Sequence, residues 1–205
     1  MSPDPDSGRP DPSRPEAGDT LTPSGRFYRL AWVVYLVLAL AGVVWLGLRL
    51  QSIQLDIFLR WDTLLVDLGI GLAAGGVLIG AWALMRRVLP GARLLEDELR
   101  QMLGPIDFGE VAALALLSGF AEELFFRGAM QGALGWPIAT IVFTALHTGP
   151  RRVYRAWTLF AGLAGLLFAG LVVWRGVLLP AIVGHVLVNA VNLRHLVASE
   201  AGGDE

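Results

Sequence analysis

Three short stretches carry residue types that could do hydrolytic chemistry. Ala121-Glu122-Glu123-Leu124-Phe125-Phe126-Arg127 sets three ionisable side chains in an otherwise apolar run. His147 closes Phe143-Thr-Ala-Leu-His147, and His185 with Asn189 forms His-Val-Leu-Val-Asn. Each buried ionisable group opposes membrane insertion by about 2.5–3.5 kcal/mol, so all three in the first stretch require compensation. Glu123 and Arg127, at i and i+4, share a helical face and lie within ion-pairing reach, whereas Glu122 is rotated roughly 100° away and points elsewhere. His185 and Asn189 share a face in the same way. The structural alternative is an ion pair, a spare glutamate beside a polar cavity, and two histidines that hydrogen-bond in helix packing.

A carboxyl group in a low-dielectric pocket holds its proton more tightly than in water, which suits it to act as a base near neutrality. Glu122 is the candidate base. His147 could orient the same water or exchange its proton, and His185 with the Asn189 amide could donate to an oxyanion forming on a scissile carbonyl. The set Glu122, His147 and His185 could instead ligate zinc and leave a fourth position for water. The sequence leaves both chemistries open. With no cysteine in the chain, a thiol nucleophile, a thiolate metal site and a disulfide framework are excluded.

The elements that must position these groups are apolar helices. The chain has 205 residues, 55% hydrophobic and 17% charged, with a net charge of −2. That is too few charges for a water-soluble globule and reads as a membrane-embedded all-α bundle. All 16 basic residues are arginine, and without a basic surplus nucleic acid is not an expected partner. Residues 1–26 hold six of the eleven prolines and read as a disordered cytoplasmic tail, retained because no signal-peptide pattern is present. Apolar runs then predict six helices that cross or enter the bilayer: 30–48, 64–85, 105–130, 136–147, 157–174 and 176–197. An amphipathic interfacial helix over 92–103 lies between the second and third. The organisation is thus an N-terminal helical part over 27–104, a core over 105–197 that carries the polar motifs, and a tail over 198–205.

All seven tryptophans (32, 45, 61, 82, 136, 157 and 174) fall near proposed helix ends, where an indole sits at headgroup level. Alternating the helices places Arg26, Arg29, Arg86, Arg87, Arg93, Arg100, Arg151, Arg152, Arg155 and Arg194 on one side against Arg49, Arg60 and Arg175 on the other, so both termini are expected in the cytoplasm. Gly69-Ile-Gly71-Leu-Ala-Ala74 imitates a dinucleotide fingerprint but follows no strand. Gly71 with Gly75, and Gly76 with Gly80, have the spacing for close helix packing.

Counting inward at about 1.5 Å per residue puts Glu122 roughly 10 Å, His185 roughly 12 Å, His147 roughly 17 Å and Asn189 roughly 18 Å deep, so the four converge. The fourth helix is too short to cross, and its exit at Thr148-Gly149-Pro150 is expected to be buried in protein or to line a wet cavity open to the cytoplasm. Asp67 reads as a cavity or interface residue without a catalytic role. Arg151, Arg152 and Arg155 set topology or steer an acidic substrate. His195, Tyr154 and Phe125-Phe126 read as interface or packing groups.

Glu122-Glu123-x-x-x-Arg127, Phe143-x-x-x-His147 and His185-x-x-x-Asn189, in this order on separate hydrophobic helices, resemble the CPBP family. That family includes CAAX prenyl endopeptidases of the Rce1 type and bacterial relatives linked to bacteriocin processing or self-immunity. The resemblance covers about residues 105–197 and implies an intramembrane endopeptidase of the glutamate type that needs no cofactor, with zinc the alternative. It implies that Glu122 and His147 activate water, that His185 and Asn189 stabilise the oxyanion, and that Glu123 and Arg127 support the site. The implied partner is a peptide or protein substrate at the lipid bilayer, and the bacterial members imply the inner membrane. A non-catalytic scaffold or immunity protein that binds a peptide in the same pocket is the rival reading; a transporter would need the internal repeat that this chain lacks.

Overall fold

The computed structural model describes residues 23–104 and 106–198, and among these residues it holds helices and no strand. In chain order they are α1 (Pro23–Leu50), a 3₁₀ turn (Leu55–Ile57), α2 (Leu64–Val88), α3 (Pro90–Leu103), α4 (Phe108–Glu122), a π-helical stretch (Glu123–Met130), α5 (Gln131–Leu134), α6 (Trp136–Leu146), α7 (Tyr154–Arg175) and α8 (Leu179–Ala198).

Local chemistry sets the boundaries. Pro90 opens α3, since a ring without an N–H costs nothing in the first turn. Asp107 caps α4: its Oδ1 accepts from the Glu110 amide at 2.8 Å while Glu110 Oε2 accepts from the Asp107 amide at 2.8 Å. Gly135, at φ 85°, lets the chain turn sharply between α5 and α6, and Gly176, at φ 72°, does so after α7.

Three helices are long and apolar enough to cross a membrane, Gly25–Leu50, Leu64–Val88 and Tyr154–Arg175, and the bent pair Pro90–Leu103 with Phe108–Leu134 makes a fourth if taken as one span. The expected count of six is therefore not reached among the described residues. α6 has 11 residues, about 16 Å at 1.5 Å per residue, and stops short as anticipated. α8 has the length for a span but carries His185, Asn189, Asn192, Arg194 and His195.

The bundle closes around α8, which packs most extensively on α2 and then on α4, while α1 lies along α4 and the π-helical stretch. Gly71 and Gly75 permit the α2–α8 approach: a Cβ at Gly71 would lie 2.7 Å from the Pro180 carbonyl oxygen, and one at Gly75 3.0 Å from that of Gly184. Gly76 and Gly80 correct the expectation, since a Cβ at either would meet nothing within 4 Å. Both are exposed on the other side of α2, and none of the described residues approaches them there.

Three further expectations are revised. Helix α1 begins at Pro23, so 23–26 belong to it and not to a tail; 1–22, 105 and 199–205 lie outside the described residues. Trp82 is buried inside the bundle and not exposed at its surface, and its indole donates to Glu96 Oε1 at 2.8 Å; Arg86 pairs with the other oxygen of the same carboxylate at 2.8 Å. That contact satisfies an acidic side chain on the packed face of α3. The exit from α6 is not buried in protein, since Thr148 and Pro150 are exposed, which leaves only the water-lined half of that expectation. Its backbone is satisfied locally instead, with the Thr148 hydroxyl donating to the Ala145 carbonyl at 2.7 Å and the Thr158 hydroxyl to that of His147 at 3.0 Å.

Candidate active site

Glu122 ends α4 and Glu123 begins the π-helical stretch, so the two carboxylates straddle a change of helical winding. A π-helical insertion inside an α-helix shifts the register of every side chain beyond it and recurs at functional sites. Here the side chains beyond it include Arg127, turned into the bundle and 3% exposed.

Glu123 is fully buried and serves two partners. Its Oε2 lies 3.3 Å from Arg127 Nε, the ion pair that the spacing implied, and its Oε1 lies 2.7 Å from His185 Nδ1. An ionised carboxylate only accepts, so Nδ1 of His185 carries the proton and donates it. The Arg127 guanidinium stands 4.3 Å from the centre of the Phe143 ring and donates to the Gly165 carbonyl at 3.4 Å. The aromatic residue one turn before His147 thus faces a buried cation.

His147 Nδ1 lies 2.8 Å from the Phe143 carbonyl oxygen, which can only accept, so this ring also holds its proton on Nδ1 and presents Nε2. Its plane is fixed further by Phe143, with centroids 4.4 Å apart, and by Trp157 at 5.6 Å. His185 is stacked on Phe168 at 5.3 Å with 21° between the planes. Both free Nε2 atoms face one oxygen: Glu122 Oε2 is 3.8 Å from that of His147 and 3.9 Å from that of His185. The same Oε2 is buried and makes no hydrogen bond within the protein.

Asn189 joins one turn away. Its amide donates to Ser118 Oγ at 2.8 Å, and Ser118 precedes Glu122 by four residues on the same face of α4. The structure thus brings Glu122, Glu123, Arg127, His147 and His185 into one contact network and sets Asn189 beside it. A cavity of about 220 Å³ runs from this edge, past Tyr35, Ser118, Trp157 and Asn189, between α1, α3 and α8 to Phe27 and Leu196.

The zinc alternative would use Glu122, His147 and His185: tetrahedral ligands about 2.0–2.1 Å from a zinc ion stand about 3.4 Å apart, against 3.8 and 3.9 Å from Glu122 Oε2 to the two imidazoles. Among the described residues no group of three His, Cys, Asp or Glu is arranged to hold a metal ion.

Sequence reasoning missed Ser118 and Tyr35. Ser118 was detectable, one turn before Glu122. Tyr35 sits in α1, outside every motif, and interacts with Glu122 while lining the cavity. Asp67 lies outside that cavity: it is completely buried, accepts from Thr63 Oγ1 at 2.6 Å and pairs with Arg175 Nε at 2.6 Å. Arg151 pairs with Glu98 and lies near the Tyr154 ring.

Residues 105–191, which contain every member of this network, match the family described as type II CAAX prenyl endopeptidase Rce1-like. The similarity is to that family and is confined to this core, and the apolar helices agree with an integral membrane protein. It is also similar to the uncharacterized protein YpbD of Bacillus subtilis strain 168, with 38% identity over 80 residues, 38% of this chain and 41% of that protein. The chain thus matches less than half of that relative's length. No solved structure matches.

Proposed function

We propose that this protein is an intramembrane endopeptidase of the glutamate type, in which one water molecule is held between Glu122 Oε2, His147 and His185. The observation that carries the reading is the convergence of two oriented Nε2 atoms, at 3.8 and 3.9 Å, on a buried carboxylate oxygen that has no other partner. These separations exceed direct hydrogen bonds and suit a shared water.

In the reaction, Glu122 takes a proton from the water as its oxygen attacks the scissile carbonyl carbon. His147, with Nδ1 committed to Phe143, accepts the second hydrogen through Nε2 and fixes the attack direction. The oxyanion receives the second Asn189 amide hydrogen, the first being given to Ser118. It also receives Nε2–H of His185, which donates only in the imidazolium form because Nδ1–H is given to Glu123. Collapse breaks the C–N bond as the proton on Glu122 passes to the leaving nitrogen; the second water proton, taken by His147 Nε2, follows it to the amine, so a carboxylate and an ammonium depart and both residues are reset. The substrate is a peptide segment at the membrane that reaches the site through the cavity beside Asn189.

The test is cleavage of a membrane-anchored peptide library by the protein in nanodiscs, comparing wild type with Glu122→Gln and each with and without a strong chelator. Wild-type cleavage that survives the chelator and falls about 10²–10⁴-fold in Glu122→Gln is expected. Chelator-sensitive cleavage would replace the glutamate mechanism with a zinc one, undiminished cleavage by Glu122→Gln would remove Glu122 as the base, and absence of cleavage by wild type would leave only a peptide-binding scaffold.

A further inference from the structure

A second cavity, about 380 Å³, opens at the other end of the bundle, where α1 ends, α5 turns into α6 and α7 turns into α8. Its volume lies in the range of small-ligand sites. Arg49, Arg127 and Gln131 line it, together with Trp136 and apolar residues such as Val173 and Leu178, and no carboxylate does.

Two of its polar side chains are buried with an atom left over. Arg127 commits Nε to Glu123 and Nη2 to Gly165, and Nη1 has no partner. Gln131 commits its amide nitrogen to the Ala169 carbonyl at 3.2 Å, which fixes the amide orientation, and its Oε1 has no partner. Arg49 reaches in from α1, giving hydrogen bonds to the carbonyls of Gly132 at 2.7 Å and Gly128 at 3.4 Å. Among the described residues no carboxylate pairs with it. Glycine at 132 is what admits its guanidinium, since a Cβ there would collide with it. An occupant must therefore bring negative charge for the guanidiniums and a hydrogen-bond donor for Gln131.

We propose that this cavity binds a phosphate ester that carries its own O–H donor, supplied by the headgroup of an anionic lipid of the phosphatidylglycerol type. The phosphate oxygens take Arg49 and Arg127 Nη1, and the glycerol hydroxyl donates to Gln131 Oε1. The setting agrees, because guanidiniums take phosphate oxygens in charge-assisted hydrogen bonds, and Trp136 with Arg175 marks this end of the bundle as an interfacial level. Free hydrogen phosphate has the same chemistry. Nothing in this assignment depends on the protease reading.

The experiment places the full chain in phosphatidylcholine nanodiscs, alone, with phosphatidylglycerol, with phosphatidylmethanol, which lacks the hydroxyl, or with inorganic phosphate. Lipid retention by native mass spectrometry and unfolding temperature are read for wild type, Arg49→Gln, Arg49→Lys and Gln131→Leu. Wild type is expected to retain phosphatidylglycerol at least tenfold over phosphatidylmethanol and to unfold several degrees higher with it. Gln131→Leu is expected to hold the two lipids equally, Arg49→Gln to lose both, and Arg49→Lys to keep part of the retention. If inorganic phosphate alone reproduces the wild-type shift and phosphatidylglycerol adds nothing, the site stands with the soluble ion as its source. Equal phosphatidylglycerol retention by wild type and Arg49→Gln, or an unchanged lipid preference in Gln131→Leu, overturns the proposal. Glu122→Gln should retain the lipid like wild type, which separates this result from any failure of catalysis.

Discussion

Glu123 illustrates how one residue joins stability to chemistry. Its two oxygens hold Arg127 and His185, so one of the two imidazoles facing Glu122 is oriented by that glutamate's neighbour in sequence. Removing one partner of a buried pair strands the other charge, at a cost of about 3–5 kcal/mol, whereas replacing both is far milder. Arg127→Met alone is therefore expected to destabilise the protein by about that amount, and the double variant Glu123→Gln/Arg127→Met by clearly less than the sum of the two single changes. Denaturant unfolding in detergent micelles measures the coupling; strict additivity would show that the pair is not energetically linked. The i,i+4 spacing made this ion pair legible in the sequence. The contact from Glu123 to His185 was not, because 62 residues separate them and only the packing of α8 on α4 brings them together.

Helix packing decides which residues meet. The α2–α8 seam depends on absent side chains, and the glycine spacing that pointed to it was half right. Gly71 and Gly75 lie in the seam; Gly76 and Gly80, equally spaced, face away, because four-residue spacing defines a stripe without saying which stripe has a partner. Gly71→Ala must push its new methyl against backbone at Pro180, and a loss of about 1–3 kcal/mol is expected, seen as a lower unfolding temperature. Gly80→Ala should leave that temperature unchanged or raise it, since it meets open space and favours helix. Equal losses at both positions would contradict this packing. The same limit applies to the π-helical stretch: Glu123–Met130 holds no proline and no local signal for wider winding, and its Arg127 lies against Phe143 and Gly165, both far off in sequence.

Across the whole molecule, polar pairs pin the two ends of an apolar bundle. At one end Trp82 and Arg86 hold Glu96 of α3, and at the other Arg175 holds Asp67 of α2. Arg175→Leu leaves a fully buried carboxylate with only Thr63, so stability should fall by about 3–5 kcal/mol, and Asp67→Asn in the same chain should restore part of it. Thermal unfolding in nanodiscs reads both, and an unaffected single variant would remove the pin. The all-α architecture and most helix limits were legible because apolar runs, prolines and glycines encode them locally. The number of spans was not, because α8 has the length of a span but a mixed composition, and α3 with α4 makes a span only if the bent pair is taken as one.

The most direct test of the account is an experimental structure in a lipidic phase, at a resolution that places solvent, with anomalous data at the zinc edge. The account expects one solvent peak about 2.6–3.2 Å from Glu122 Oε2 and from Nε2 of His147 and His185, without anomalous signal. A zinc peak about 2.0–2.2 Å from the three side chains, or imidazoles turned away from Glu122, would contradict it.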